Sequence, residues 1–429
     1  LLWGHYGEPY LWNPAGGGFT QVTANTCTDP SLCELFCAGH TYLADGRLLV
    51  AGGHNEALGD NHGIQDASIF DGASWQKTGS MAYKRWYPTL VTMDNGNVVA
   101  ISGNQAGINT IAPVPERYNG STWTVLSGIN TTILMYPRAF VEPKNGHIFI
   151  AGEASPSRYL NPYGSGSITN GPARVVSDRN YAPAVMLDSK VLYIGGGGAS
   201  GCPSNVPKYT AEIIDLAAAS PVWSSIAEMK FGRRHHNATI LADGKVLVTG
   251  GTSVCGFSNE AGAVFTAEMW NPATNTWSSV APSNVTRVYH STTMLLPDGR
   301  VFQSGSGEGA GTTAQYNYEI YSPPYLFKGA RPTYIPSGTA MHYGQPFSVS
   351  TPNAASIRKV LLIRLASSTH AFDMGQRLNT VAFQVGTDGQ SLVLTPPASG
   401  RIAPPGPYML FIVNDQGVPS VAHIIVLSQ

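Results

Sequence analysis

At 429 residues the chain exceeds a typical single domain and can bury a large core, so two domains, or one large repeat fold with an appendage, are expected. Only 12% of its residues are charged, against roughly 25% in an average soluble protein, and the formal net charge is −1, which excludes electrostatic attraction to nucleic acid or an anionic membrane. Its 48 glycines and 30 prolines lie outside low-complexity runs and accompany abundant aromatics, a composition suited to an all-β protein with many turns.

No apolar run approaches the length of about eighteen residues that a membrane-spanning helix needs, so no span is expected. No signal peptide is read in the numbered chain, which opens mid-pattern at "LLWGHYG", so whether residues precede Leu1 is left open. Sequons at Asn119, Asn130, Asn237 and Asn284 lend weak support to secretion, which is the expected localisation.

In chain order, "HTYLADGRLLVAGGH" (40–54), "YPTLVTMDNGNVVAISGN" (87–104), "AFVEPKNGHIFIAGEA" (139–154), "APAVMLDSKVLYIGGGG" (182–198), "HNATILADGKVLVTGGT" (236–252) and "HSTTMLLPDGRVFQSGSG" (290–307) share one pattern. Each reads as an apolar strand, a turn, a second apolar strand and a Gly-rich end. The Asp-Gly and Asn-Gly turns predict two-residue hairpins, because both residues tolerate φ > 0. A looser outer element with a bulky aromatic follows each copy, as in "ERYNGSTWTV" and "AEMWNPATNTWSSV". The N-terminal "EPYLWNPAGGGFTQV" matches that outer element, so a truncated first copy brings the expected count to seven. Four-stranded units at this spacing predict an all-β fold, a seven-bladed kelch-type β-propeller over 1–329. Beyond it, runs such as "PFSVS", "KVLLIRLA" and "YMLFIV" predict a C-terminal immunoglobulin-like β-sandwich over 330–429.

A propeller does not specify a function, so the chemistry must come from residues that break the repeat. Cys37 in "FCAGH", Tyr87 in "KRWYPTL" and the pair Tyr289 and His290 in "RVYHSTTMLLPDGRV" all stand where an inner strand begins, and such positions line one central channel. His370 in "SSTHAFDMGQR" lies in a polar loop of the C-terminal region. Two imidazoles with phenol oxygens suit tetragonal Cu(II) better than metals that favour thiolates or carboxylates. Taken singly, a tyrosine at a strand start more often serves packing than ligation.

Together these segments resemble the copper radical oxidases, the family of galactose oxidase and glyoxal oxidase. "RVYHSTTMLLPDGRV" is the most specific of the matching stretches, and the likeness covers essentially the whole chain. The resemblance implies a copper ion held by Tyr87, Tyr289, His290 and His370, with Cys37 joined by a thioether to Tyr87, which stores an oxidising equivalent as a radical. It further implies that Tyr289 acts as a general base while O₂ is reduced to H₂O₂. Galactose oxidase carries a tryptophan after the Tyr87-type strand, whereas "ISGNQAGIN" here has Asn104 and Gln105 and no aromatic. Nor does this chain begin with a carbohydrate-binding domain. Both departures favour small aldehydes as hydrates, glyoxal-type, or simple primary alcohols, with a peroxide-using enzyme as a functional partner.

Trp86 or Phe257 is the candidate for a substitute stack over the thioether. Arg138 in "MYPRAF" is read either as a substrate-binding cation in the channel or as a packing or salt-bridge residue. His235 or His236 is read as a pocket-lining side chain or an ordinary strand-start residue. His40, His54 and His62 are expected as surface or loop hydrogen-bonders. Cys202 and Cys255 follow the Gly-rich ends of successive repeats and are expected to pair, as are Cys27 and Cys33 locally; buried free thiols are the alternative for all four. The competing function is a non-catalytic kelch module that binds protein or glycan through its loops.

Overall fold

The computed structural model describes residues 1–5, 8–14, 16–23, 33–152, 156–307, 309 and 311–429. Among these the chain is all-β, its only helices being three short 3₁₀ turns. The first repeat forms a meander of Gly39–Tyr42, Leu48–Ala51, Ala67–Phe70 and Trp75–Lys77. The same up-and-down sheet recurs from Thr89, Ala139, Ala184 and Arg234, and a three-stranded version starts at Thr292. These six sheets match the six repeats read from the sequence. The N-terminal outer element is a hairpin of Tyr10–Trp12 and Phe19–Gln21, whose Trp12 ring packs 4.6 Å from Phe302 in the last sheet.

The inner strands are buried on both faces, as Leu48–Ala51 and Val98–Ile101 show, because each sheet packs between two neighbours. That removes any need for polar alternation. The hairpin turns differ from expectation. Leu43 N–H donates to Arg47 C=O and Gly46 N–H to Leu43 C=O, which makes a three-residue loop. Only Gly46 has positive φ, so the turn is type I closed by a glycine bulge, and the same pattern recurs at Gly96, Gly244 and Gly299. The tolerance of Asp-Gly for positive φ is used at one residue rather than two.

A repeated ion pair ties the start of a sheet's inner strand to its third strand. Arg85, Arg179, Arg233 and Arg287 reach Glu116, Glu212, Glu268 and Glu319 respectively. Each arginine also donates to a carbonyl near the end of the second strand, those of Ser102, Gly195, Gly250 and Gly305, at 2.7–3.0 Å. This explains one feature of the Gly-rich ends. Gly250 sits at φ +66°, turning its carbonyl to Arg233, and a Cβ there would collide with the Arg287 carbonyl.

In the C-terminal region two sheets enclose Met341, Val349, Leu392, Leu410 and Ile425. One of them extends into the repeats through Arg377–Thr380, which pairs in parallel with Ala184–Leu187. Leu361, Leu378 and Phe411 accordingly share a core with Val185, Leu241 and Val246. Three sequon asparagines are exposed; Asn237 is buried and its amide donates to Ser291, which removes it as a glycosylation acceptor in the folded protein.

Candidate metal centre

The residues where inner strands begin share an unusual backbone. Cys37, Tyr87, Tyr136, Tyr181, His235 and His290 have φ of 62°, 67°, 46°, 51°, 56° and 66°. A left-handed residue other than glycine costs on the order of 1 kcal/mol, and such strain gathers where it has a use. Here the turn directs side chains from successive sheets toward one axis. Backbone bonds link the ring, Tyr87 N–H donating to Cys37 C=O and Tyr136 N–H to Tyr87 C=O, each at 2.9 Å.

His370 reaches that axis on a loop anchored from several sides. Gln376 accepts from Ile240 N–H at 2.6 Å and donates to Ala238 C=O at 3.1 Å. Arg377 donates to Val141 C=O, and Ser367 bonds the His40 ring and its carbonyl. His40 is therefore a buried brace rather than a surface residue, and His54 is buried too.

The rings converge. Tyr87 and Tyr289 hydroxyls lie 2.6 Å apart, Cys37 Sγ lies 3.8 Å from His370 Nε2, and the His290 and His370 ring centres are 4.6 Å apart. Nδ1 of His290 meets Gly307 C=O at 2.7 Å, and Nδ1 of His370 meets Thr369 Oγ1 at 2.6 Å. Holding the δ nitrogens in this way fixes each ring and leaves the ε nitrogens for coordination. Burial raises the phenols of Tyr87 and Tyr289 and the thiol of Cys37 well above their ordinary values, and lowers the His370 imidazole well below its own. Burial thus favours the neutral forms of these four groups, and a divalent ion would supply the charge that favours phenolate. This donor set fits copper.

Trp86 stacks on Tyr87 with ring centres 3.7 Å apart and planes 15° apart. Tyr136, which the sequence reading passed over, covers Tyr87 at 4.4 Å and 25°. Phe257 lies 5.0 Å from Tyr289, away from any stack on Tyr87, and is 40% exposed. His235 packs at 5.0 Å from Tyr289, but its Nε2 bonds Phe257 C=O, so it is engaged away from the ligand cluster. Arg138 corrects the substrate-binding reading: it is buried, donates to Ala182 and Tyr136 carbonyls at 2.7 Å, and lies 5.1 Å over Phe372. It braces the Tyr136 turn. Aligning "RWY", "LMY", "RNY", "RRH" and "RVY" across repeats is the signal that would have found Tyr136 and Tyr181.

Glyoxal oxidase N-terminus is the family model matching residues 30–325, and the galactose oxidase-like early set domain matches 331–427. The chain belongs to this family. Galactose oxidase from Gibberella zeae is 30% identical over the whole chain and 67% of that protein. Aldehyde oxidase GLOX from Vitis pseudoreticulata is 29% identical over 92% of the chain and 82% of its own length. A fungal alcohol oxidase solved in complex with copper superposes with a TM-score of 0.86 at 27% identity, covering 98% of this chain and 90% of that one. The protein is accordingly a copper radical oxidase that uses a small-molecule substrate and O₂. The reading as a non-catalytic binding module is overturned by this kinship.

Cys202 and Cys255 form the expected disulfide, with Cα atoms 5.5 Å apart. It joins two loops at one face, and the neighbouring Gly256 N–H donates to Gly198 C=O at 3.0 Å, which holds Phe257 beside Tyr289. The bridge closes a loop spanning 53 positions, worth about 4 kcal/mol by chain entropy. A Cys202→Ser/Cys255→Ser variant is expected to lose up to that amount in thermal or denaturant unfolding while retaining copper. The expected Cys27 to Cys33 bridge lies outside the described residues, and Cys37 is a free, buried thiol.

Proposed function

We propose that this oxidase acts on small aldehydes, as their hydrates, or on simple primary alcohols, through a centre built from Tyr87, Tyr289, His290, His370 and Cys37. The observation that carries this assignment is the meeting of two phenol oxygens and two imidazoles from two repeats and the C-terminal loop around one point. The seven-bladed count, with the strands Tyr10–Trp12 and Phe19–Gln21 as a truncated first blade, and the division at residues 329 and 330 belong to the same proposal.

Tyr87, Tyr289, His290 and His370 would hold the copper, which when bound supplies one of two oxidising equivalents and acidifies the substrate oxygen. The other equivalent resides on Tyr87. Joining its ring to Cys37 Sγ removes two hydrogen atoms, which O₂ takes up, and the electron-donating sulfur then makes the ring easier to oxidise. Trp86 and Tyr136, on the two faces of that ring, shield it from water. Trp86 thus fills the place left by the missing aromatic at Asn104.

Tyr289 takes the substrate hydroxyl proton, and a hydrogen atom passes from the substrate carbon to the Tyr87 oxygen. The substrate loses two electrons and two protons in all, and O₂ gains both as H₂O₂. Phe257 and Tyr181 flank Tyr289 at 5.0 and 5.8 Å and form an apolar wall for a small substrate. A cavity of about 550 Å³ is lined by Cys37, His290 and His370 but by neither Tyr289 nor Phe257. We place the substrate on the Tyr289 side, because the base must reach the hydroxyl. Secretion accords with the disulfide, and a peroxide-consuming enzyme would use the product.

The test is a tryptic map after copper and O₂ exposure. Covalently joined Cys37 and Tyr87 peptides are expected; separate peptides would remove the radical assignment. A peroxide-coupled assay over glyoxal, methylglyoxal, glycerol, benzyl alcohol and galactose is expected to favour the smallest of them, glyoxal and methylglyoxal, over galactose. His370→Ala is expected to lower copper affinity by about 100-fold or more, read by metal content after dialysis.

A further inference from the structure

A second group of ligating side chains meets beside the first repeat. The short antiparallel pair Cys33–Glu34 and His54–Asn55 sets Glu34 directly across from His54. Glu56 follows two positions after His54, and the N-terminal segment brings in His5. His5 Nε2 lies 3.7 Å from Glu34 Oε2 and 3.9 Å from Glu56 Oε2, while His54 Nε2 lies 3.8 Å from Glu56 Oε2. The ligand atoms of His5, His54 and Glu56 all fall within 4.8 Å of one another.

These separations are too long for hydrogen bonds. They are close to those of atoms placed about 2 Å from one shared ion. His54 is only 2% exposed, and Glu56 Oε2 is buried with no hydrogen-bond partner among the described residues. Polar atoms buried in that way are costly unless something satisfies them. A set of imidazolium–carboxylate pairs is the rival explanation, but separations of 3.7–3.9 Å fall short of the hydrogen-bonded contact that such pairs make.

We propose that His5, His54 and Glu56, with Glu34 beside them, form a second metal site that takes a zinc-class divalent cation and pins the N-terminal segment to the first repeat. Two imidazole nitrogens and the Glu56 oxygen form a three-ligand core, and Glu34, 3.7 Å from His5, stands where it would complete a four-ligand set of the structural zinc type. Phe36 separates it from the copper residues, stacking on His5 at 4.6 Å and meeting the His290 ring edge-on at 5.2 Å. The ion would therefore also steady an aromatic that packs on a copper ligand.

The full chain, loaded with copper and dialysed against zinc chloride, provides the test, with both metals counted by mass spectrometry. Wild type is expected to carry zinc in addition to copper. His54→Ala and Glu56→Gln are expected to keep copper and to weaken zinc by at least about tenfold. Zinc should raise the Tm of wild type and leave that of Glu56→Gln unmoved. Glu56 is partly exposed, so its variant keeps the test valid if His54→Ala fails to fold. Wild type without added zinc, zinc that replaces copper instead of joining it, or Glu56→Gln that binds zinc as wild type does would each overturn the proposal.

Discussion

Cys37→Ser is expected to bind copper and yet lose oxidase turnover by about 10³-fold or more, the scale on which one member of a catalytic unit fails when removed. The thiol is buried, its pKa is raised by that burial, and its Sγ lies 3.8 Å from His370 Nε2. It therefore has little part in holding copper as a thiolate. The loss should appear in kcat with copper stoichiometry unchanged, together with loss of the tyrosyl radical absorption. A variant that kept wild-type turnover would sink the thioether. Tyr87→Phe removes both roles of the ring at once, the oxygen as ligand and the radical. Reduced copper affinity should then accompany the lost turnover.

Glu212→Ala is expected to destabilise the protein by about 3–5 kcal/mol, because it strands the Arg179 guanidinium where both partners are 0% exposed. The matched change at Glu319 should cost less. That carboxylate is 20% exposed and lies 3.4 Å from Arg287, so water can take its place. Replacing Arg179 and Glu212 together by methionines should recover most of the loss, since no buried charge is left alone. Urea midpoints of the three variants check the order. Equal effects at Glu212 and Glu319 would show that the pairs do not act through burial. Because each arginine stands two residues before an axis-lining ring, Tyr87, Tyr181, His235 or Tyr289, the clamp also sets that ring's position. Glu212→Ala should for that reason disturb Tyr181 before it disturbs copper binding.

Much of this architecture is legible in the residues. Asp-Gly and Asn-Gly turns between apolar strands announced the hairpins, and their recurrence announced the repeat, because backbone conformation at a glycine is a local property. The loop geometry was missed, since Asp45 and Gly46 satisfy either turn type until strand register chooses. Arg138 was open to a functional reading for a similar reason. An arginine on the channel side looks like a substrate clamp until its donors are found on the Ala182 and Tyr136 carbonyls.

By itself the sequence determined the strand content, the sheet repeat and the identity of Cys37, Tyr87, Tyr289, His290 and His370 as the residues that depart from it. Repetition and residue chemistry are carried by neighbours along the chain. Only the tertiary structure decided that Trp86 and Tyr136 enclose Tyr87, that His40 and Gln376 hold the His370 loop, and that His5 meets His54 and Glu56. Each of those contacts joins segments whose approach depends on how sheets pack around the axis, and no local pattern encodes that distance.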